Sequence, residues 1–327
     1  MSNNILVPLD GSSLADAAVP HAIELARRMG GALRVVRVHA PMAPVTVEAP
    51  PLVFPDARIE AEVVMTKRAW LDTRSKEIGS DSGLTVHSEF RIGQPGAEIV
   101  AAATECDAKV IVCTTHGTGG WAPQWFGSVT DYVIRHTLKP VLAMSAAATE
   151  RTTKRTTKPS TMLVLLDGSE MSEAILPDVK SFAKAFGASV ELFRVVVPPW
   201  VGDSEMVLTP EIDRFGIDAF AEEAKHELDA VAEDLRATGL SVTSRVEVQN
   251  GPTRRILEHI EKSNPDIVAL ATHGRGIARL LVGSVADKVL RASSRPMLCV
   301  RPQRTAAVEA IRRFEASMAG AGTATVV

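Results

Sequence analysis

Short apolar runs alternate along the chain with longer stretches of helical period. Ile5–Leu9 has the length of a strand, and Leu14, Ala18, Ala22, Leu25 and Met29 follow it at helical spacing. Ala32–His39 predicts a second strand, Pro41–Pro55 a proline-rich loop, and about Arg58–Ile78 a helix. Thr85–Phe90 reads as a third strand, and a helix starts near Pro95, where proline suits a first turn. Val110–Thr114 is the fourth strand, Ser128–Thr137 a helix and Val141–Met144 the fifth strand. The same order returns in the second half. There Ile212, Phe215, Ala219, Ala224, Leu228, Val231 and Leu235 step along one long helix. Pro20 and Pro177 fall inside the first helix of each half and are expected to kink or delay it.

Short apolar strands joined by helices predict a parallel sheet buried on both faces, because parallel strands need crossovers. Right-handed crossovers leave a doubly wound sheet as the simplest closure. In such a sheet ligands bind outside the carboxyl ends of the strands, at the topological switch point. The residues after strands one and four are therefore the ones to weigh.

The chain contains itself twice. Leu9-Asp10-Gly11-Ser12 returns as Leu166-Asp167-Gly168-Ser169 and Thr115-His116-Gly117 as Thr272-His273-Gly274, both at an offset of 157. Gly127-Ser128-Val129 returns as Gly283-Ser284-Val285 at an offset of 156, which puts a one-residue deletion between Gly274 and Gly283. A period this long duplicates a whole domain. The expected division is 1–148 for the first domain, 149–159 for a solvated linker, and 160–303 for the second domain. A C-terminal helix over Thr305–Met318 and a disordered tail complete residues 304–327.

Composition removes several classes. The 327 residues are 46% hydrophobic and 23% charged, ordinary for globular protein, and at ~100–200 residues per domain they make two domains. Net charge is −3, and residues 1–149 and 150–327 carry −2 and −1, so neither half is a basic module for nucleic acid. No apolar run approaches the ~20 residues of a membrane helix, and Met1-Ser2-Asn3-Asn4 leads straight into a strand, so a cytoplasmic chain is expected. The three cysteines, Cys106, Cys113 and Cys299, lack metal spacing and read as buried, reduced thiols. No disulfide scaffold or metal site is expected.

Asp10 and Asp167 end the first strands. A carboxylate there either accepts from ribose hydroxyls or an adenine amine, or closes an Asp-Gly-Ser turn. After strand four comes Thr114-Thr115-His116-Gly117-Thr118-Gly119-Gly120, then Gly127-Ser128 opening a helix. Glycines admit close backbone approach and a helix start favours anions, although Ser128 is equally suited to capping its helix. The pattern is neither a Walker A motif nor a Rossmann fingerprint. His116 and His273 have no nucleophile or paired carboxylate beside them in sequence, and Trp121 and Trp125 read as packing over the loop.

These residues resemble the universal stress proteins, one family domain per repeat, over nearly the whole chain. The resemblance rests on Ile5–Ser12, the Gly93-Gln94-Pro95 turn, the Thr-His-Gly loops and the Gly-Ser-Val helix starts. It implies two tandem domains of adenine nucleotide alpha hydrolase-like fold, each a five-stranded parallel sheet flanked by helices. Dimerisation through the family's last strands would here become an intramolecular pseudo-dimer, with a homodimer open beyond it. The family's ATP-binding members cradle phosphates in G-x2-G-x9-G-[S/T]. By resemblance Gly117, Gly127 and Ser128 take that role in the first repeat, with Asp10 at the nucleoside and Val38 near adenine. Gly274, Gly283, Ser284, Asp167 and Val195 correspond in the second, with Arg275 in its loop. Thr114 and Ala271 stand where the motif has its first glycine, and the second loop has eight residues between Gly274 and Gly283 instead of nine.

The resemblance implies a stress-response protein that binds ATP, or AMP or ADP, with Mg2+ as an optional companion and little turnover. The near-neutral charge of both halves and the lack of a long apolar run leave no nucleic acid or membrane partner expected. A nucleotide-free interaction protein acting through the pseudo-dimer is the alternative. A slow ATPase or phosphotransferase fits less well, since no Mg2+ ligand cluster or general base accompanies the Gly-rich turn. Arg275 and Arg279 give the second loop a charge that Thr118–Phe126 lacks, so the second site is expected to hold triphosphate more tightly.

Overall fold

A computed structural model describes residues 3–41, 57–115, 127–145, 161–197, 210–272 and 283–302, the side chains of 210–217 excepted. The chain divides into two compact units, Met1–Thr157 and Lys158–Val327. The first unit contains β1 (Ile5–Pro8), β2 (Leu33–His39), β3 (Val86–Ile92), β4 (Val110–Thr114) and β5 (Val141–Met144). They form a parallel sheet in the order β3-β2-β1-β4-β5. The helices are α1 (Ser13–Asp16), α2 (Val19–Met29), α3 (Ala57–Ser82), α4 (Pro95–Glu105) and α5 (Ser128–His136).

The second unit repeats this plan with β6 (Thr161–Leu165), β7 (Ser189–Val196), β8 (Val242–Val248), β9 (Ile267–Ala271) and β10 (Met297–Val300). All are parallel, in the order β8-β7-β6-β9-β10. Its helices are α6 (Glu170–Glu173), α7 (Leu176–Phe186), α8 (Pro210–Arg236), α9 (Pro252–Ser263) and α10 (Ser284–Ala292). Every residue of β4, β5, β9 and β10 is buried, which explains why these strands read as continuous apolar runs rather than alternating ones.

Proline interrupts the first helix of each half, where a kink or delay is expected, by dividing it in two. The single helix expected over Leu14–Met29 is two helices, α1 and α2, and Pro20 occupies the first turn of α2. Pro177 does the same for α7. A proline has no N–H to give and is tolerated there, whereas inside a continuous helix it would remove a bond and clash.

The register also refines the duplication. Arg37 pairs with Phe90 and Arg194 with Val246, so the offset is already 156 across the third strands. It is 157 again at Pro95 and Pro252. The loop 42–56, the linker 149–159 and the C-terminal segment 304–327 lie outside the described residues.

Candidate functional site

Each first strand runs into the same Asp-Gly-Ser turn. Asp10 Oδ1 accepts the Ser12 N–H at 2.8 Å, and Ser12 Oγ accepts the Ala15 N–H at 3.1 Å, capping α1. Asp167 Oδ1 accepts both the Ser169 N–H at 2.9 Å and the Ser169 hydroxyl at 2.5 Å, and Ser169 caps α6. The carboxylates therefore do close a turn. A carboxylate offers about four acceptor positions, so the turn leaves capacity for a ligand.

An arginine covers that turn in both units, and sequence reasoning missed it. The Arg37 guanidinium donates to the Asp10 carbonyl at 3.0 Å and lies flat over Gly11, where an added Cβ would sit 3.0 Å from Nη2. Arg194 lies over Gly168 more tightly still, 2.3 Å from such a Cβ. Both glycines have positive φ, +92° and +78°, so the turn needs glycine for its backbone and for the space. The arginines stand 157 residues apart, and that recurrence was the signal available in the sequence.

The arginines' outer partners differ. Trp70 on α3 stacks on Arg37 at 4.4 Å, whereas Glu227 at the matching place on α8 pairs with Arg194 Nη1 at 2.5 Å. Burial lowers the Arg37 pKa against the opposing pull of Asp10. Burial also pushes the Glu173 carboxyl up, with Glu170, Glu227 and Asp167 adding to it against Arg194.

β1 and β4 are neighbours at the switch point of the sheet. The pairing Ile5 to Val110, carried forward, sets Asp10 level with Thr115, and Met162 to Ile267 sets Asp167 level with Thr272. Thr115 is buried, and its carbonyl accepts the Gly127 N–H; Thr272 accepts the Gly283 N–H at 2.9 Å. Thr130 Oγ1 donates to the Thr114 carbonyl at 2.7 Å, fixing α5 against the end of β4. The cap residues of α5 and α10 are Gly127 and Gly283, and no side chain caps either helix. Ser128 and Ser284 are thus first helical residues, exposed, and not caps. Asp131, in the first turn, is held by Arg135 at 2.7 and 2.9 Å, and Asp287 likewise by Arg291. Each arginine neutralises the carboxylate that would otherwise oppose an anion at the positive end of its helix.

Val38 and Val195 are half-buried in the last turn of pleat of β2 and β7, level with Arg91 and Glu247. Beside Val38, buried His39 contacts Glu60 through Nε2 at 2.6 Å and accepts from Lys67 Nζ through Nδ1 at 2.9 Å. Gly117, Gly274 and Arg275 lie outside the described residues, as do His116, His273, Trp121, Trp125 and Arg279. Among the described residues no group of three His, Cys, Asp or Glu could hold a metal ion, and no helix is long and apolar enough to cross a membrane.

The universal stress protein family model matches residues 1–145 and again 159–301. The chain belongs to the universal stress protein family. A universal stress protein of Mycobacterium tuberculosis strain H37Rv is 27% identical over 93% of this chain and 98% of its own length. One from Mycolicibacterium smegmatis is 26% identical over 91% of this chain and 97% of its own. The solved universal stress protein of Archaeoglobus fulgidus covers 93% of this chain and all of its own with a TM-score of 0.69 at 18% identity, a likeness of fold. Within a universal stress protein fold, the Asp-Gly-Ser turns and the Gly-Ser helix starts both stand at carboxyl ends of adjacent strands.

Proposed function

We propose that this universal stress protein is a cytoplasmic stress-response protein that binds adenine nucleotide, ATP or its lower phosphates, in each unit with little or no turnover. The observation that carries the reading is that the strands ending in the Asp10 and Asp167 turns pair directly with the strands whose ends hold the Gly127 and Gly283 helix starts. A carboxylate with spare acceptor capacity suits a nucleoside, and an uncapped helix start with its own acid neutralised suits phosphate. Asp10, Val38, Gly127 and Ser128 then serve one ligand, and Asp167, Val195, Gly283 and Ser284 a second, with Gly117 and Gly274 completing the phosphate loops. Mg2+ would be held by the phosphates and water, since the described residues offer no cluster for it.

Native mass spectrometry of the purified chain after ATP incubation tests this. The expected spectrum carries up to two adenine nucleotides per chain, and Asp10→Ala and Asp167→Ala each weaken one of them. A bare chain at saturating ATP overturns the reading. Rapid phosphate release that Asp10→Ala and Asp167→Ala abolish would overturn the non-catalytic part alone.

A further inference from the structure

The two units have parted company at the nucleoside end. We propose that the first unit recognises an anionic group on the ribose, a 2′- or 3′-phosphate, through Arg37, and that the second unit does not. The proposal rests on the adenine-nucleotide reading above and specifies the ligand class of one of its sites.

A guanidinium carries five N–H donors in one plane. In Arg37 one of them is spent on the Asp10 carbonyl at 3.0 Å, and another reaches the Lys67 carbonyl only at 3.5 Å. Trp70 covers one face and Gly11 lies against the guanidinium, but stacking uses the faces and leaves the edge. That edge is the planar fork that matches phosphate oxygens. Among the described residues no carboxylate is ion-paired with Arg37. Its charge is held beside the group that would carry the ribose, drawn toward Asp10 at longer range but with no direct carboxylate partner among the described residues.

Arg194 is the same residue in a different field. Its Nη1 is bonded to Glu227 at 2.5 Å, and nearby Glu173 feels Arg194 together with the carboxylates of Glu170, Glu227 and Asp167. The divergence is systematic at an offset of 157. Ser13, Lys67, Trp70 and Arg74 become Glu170, Ala224, Glu227 and Val231, each one charge more negative, while Glu60, the partner of His39, becomes Ile217 in the opposite direction. These five substitutions leave the second unit's strand end three charges more negative than the first's. In the first unit the same side chains are engaged around the turn and β2: Arg74 with Asp16 at 3.2 Å, and Lys67 and Glu60 with His39. An added phosphate meets a cation in one unit and a fixed anionic cluster in the other.

Adenosine, adenosine 2′-monophosphate and adenosine 3′-monophosphate are the probes, because none carries the 5′-phosphate that Arg275 and Arg279 would attract. Titration calorimetry on the full chain should show one site preferring a ribose monophosphate over adenosine by about tenfold, as a charge-assisted pair would give, and fading with salt. Arg37→Gln should collapse that ratio toward one. Trp70→Glu, which installs the carboxylate that silences Arg194, should do the same. Glu227→Gln leaves the first unit untouched and should create the preference at a second site. An unaltered ratio in Arg37→Gln, or equal preferences at both sites of the wild type, overturns the proposal. A chain that binds ATP yet shows no ribose-phosphate preference refutes this inference alone. One that binds none of the four compounds refutes the nucleotide reading and this with it.

Discussion

Arg91→Glu should destabilise the first unit, and Glu98→Arg should rescue it. Arg91 on β3 is 14% exposed and meets Glu89 at 2.5 Å, Glu98 on α4 at 3.3 Å, and both carboxylate oxygens of Glu105. The hydrogen bonds it donates to Glu105, Glu89 and Glu98 raise its pKa against the opposing effect of burial. The second unit holds the same position with the opposite charge. Glu247 on β8, level with Val195 as Arg91 is with Val38, is clasped by Arg245 at 2.8 Å and by Arg255 on α9. Burial pushes the Glu247 carboxyl up, yet the two arginines win and hold it below its usual range.

Reversing only Arg91 removes the exposed contact with Glu105 and the part-exposed pairs with Glu89 and Glu98, and those last two at up to about 1 kcal/mol each cost roughly 1–2 kcal/mol. It also sets a new carboxylate among existing ones. Like charges ~4 Å apart at an effective dielectric of ~20 repel by about 4 kcal/mol, which screening and outward swing cut to roughly 1–2 kcal/mol. The single variant should therefore lose about 2–4 kcal/mol. Arg91→Glu with Glu98→Arg rebuilds the Glu247–Arg255 part of the second unit's clasp, with Glu89 still standing where that unit has Arg245, so the coupling in a double-mutant cycle should be about 1–2 kcal/mol in favour of the pair. Urea unfolding of the four chains measures this. Trp70, Trp121 and Trp125 all belong to the first unit and Trp200 alone to the second, so fluorescence follows mainly the unit in question. The coupling should shrink in high salt. Additive losses, with coupling within ~0.5 kcal/mol of zero, would refute the argument.

Three further outcomes are expected. Asp10→Ala and Asp167→Ala should each lower adenine-nucleotide affinity at one site by roughly ten- to hundredfold, the worth of a hydrogen bond to a charged group, as read by calorimetry. Gly168→Ala should destabilise more than Gly11→Ala in thermal melts, since both strain a positive φ by about 1 kcal/mol but only the former must drive an arginine off its glutamate. Glu173→Gln should stabilise the second unit near neutral pH and make no difference at pH well below 4.5, because a carboxyl raised from that value in the fold makes folding less favourable as pH rises through the window above it. A Gln variant that gains stability most in acid contradicts the buried-carboxylate account.

Much of the fold was legible because its causes are local. Buried parallel strands such as Val110–Thr114 and Met297–Val300 advertise themselves as apolar runs, and the repeat doubled the evidence for each. Boundaries moved where a single residue decides them: Pro20 divided a helix that the apolar spacing alone made continuous. At the site, Asp10 and Asp167 were legible as both turn and ligand candidates, and the structure gives them the turn. Arg37 was not, since an arginine inside a strand pattern carries no mark of where its long side chain will lie. Arg91 and Glu247 were invisible for another reason. A search for identical residues scores a charge reversal as a mismatch, and the offset slips to 156 across that strand.

The pattern of what survives duplication separates two kinds of constraint. Asp-Gly-Ser, the covering arginine and the Gly-Ser helix start persist in both units, and each is fixed by backbone geometry that no charge adjustment can replace: a positive φ, a guanidinium where a Cβ would stand, an uncapped first turn. Arg91 with Glu98 and Glu247 with Arg255 show the opposite case. There the fold asks only that the strand and helix charges be complementary, so either polarity serves provided both partners change. Trp70 and Glu227 fit neither description. One covers Arg37 with an apolar ring and the other neutralises Arg194, and the lost charge is not restored, since Lys67 and Arg74 also give way to Ala224 and Val231 and Glu60 to Ile217 offsets only one of these changes. A run of charge changes this incompletely compensated, beside an otherwise preserved turn, is not what packing requires. It is what two sites would accumulate if they had ceased to hold the same ligand.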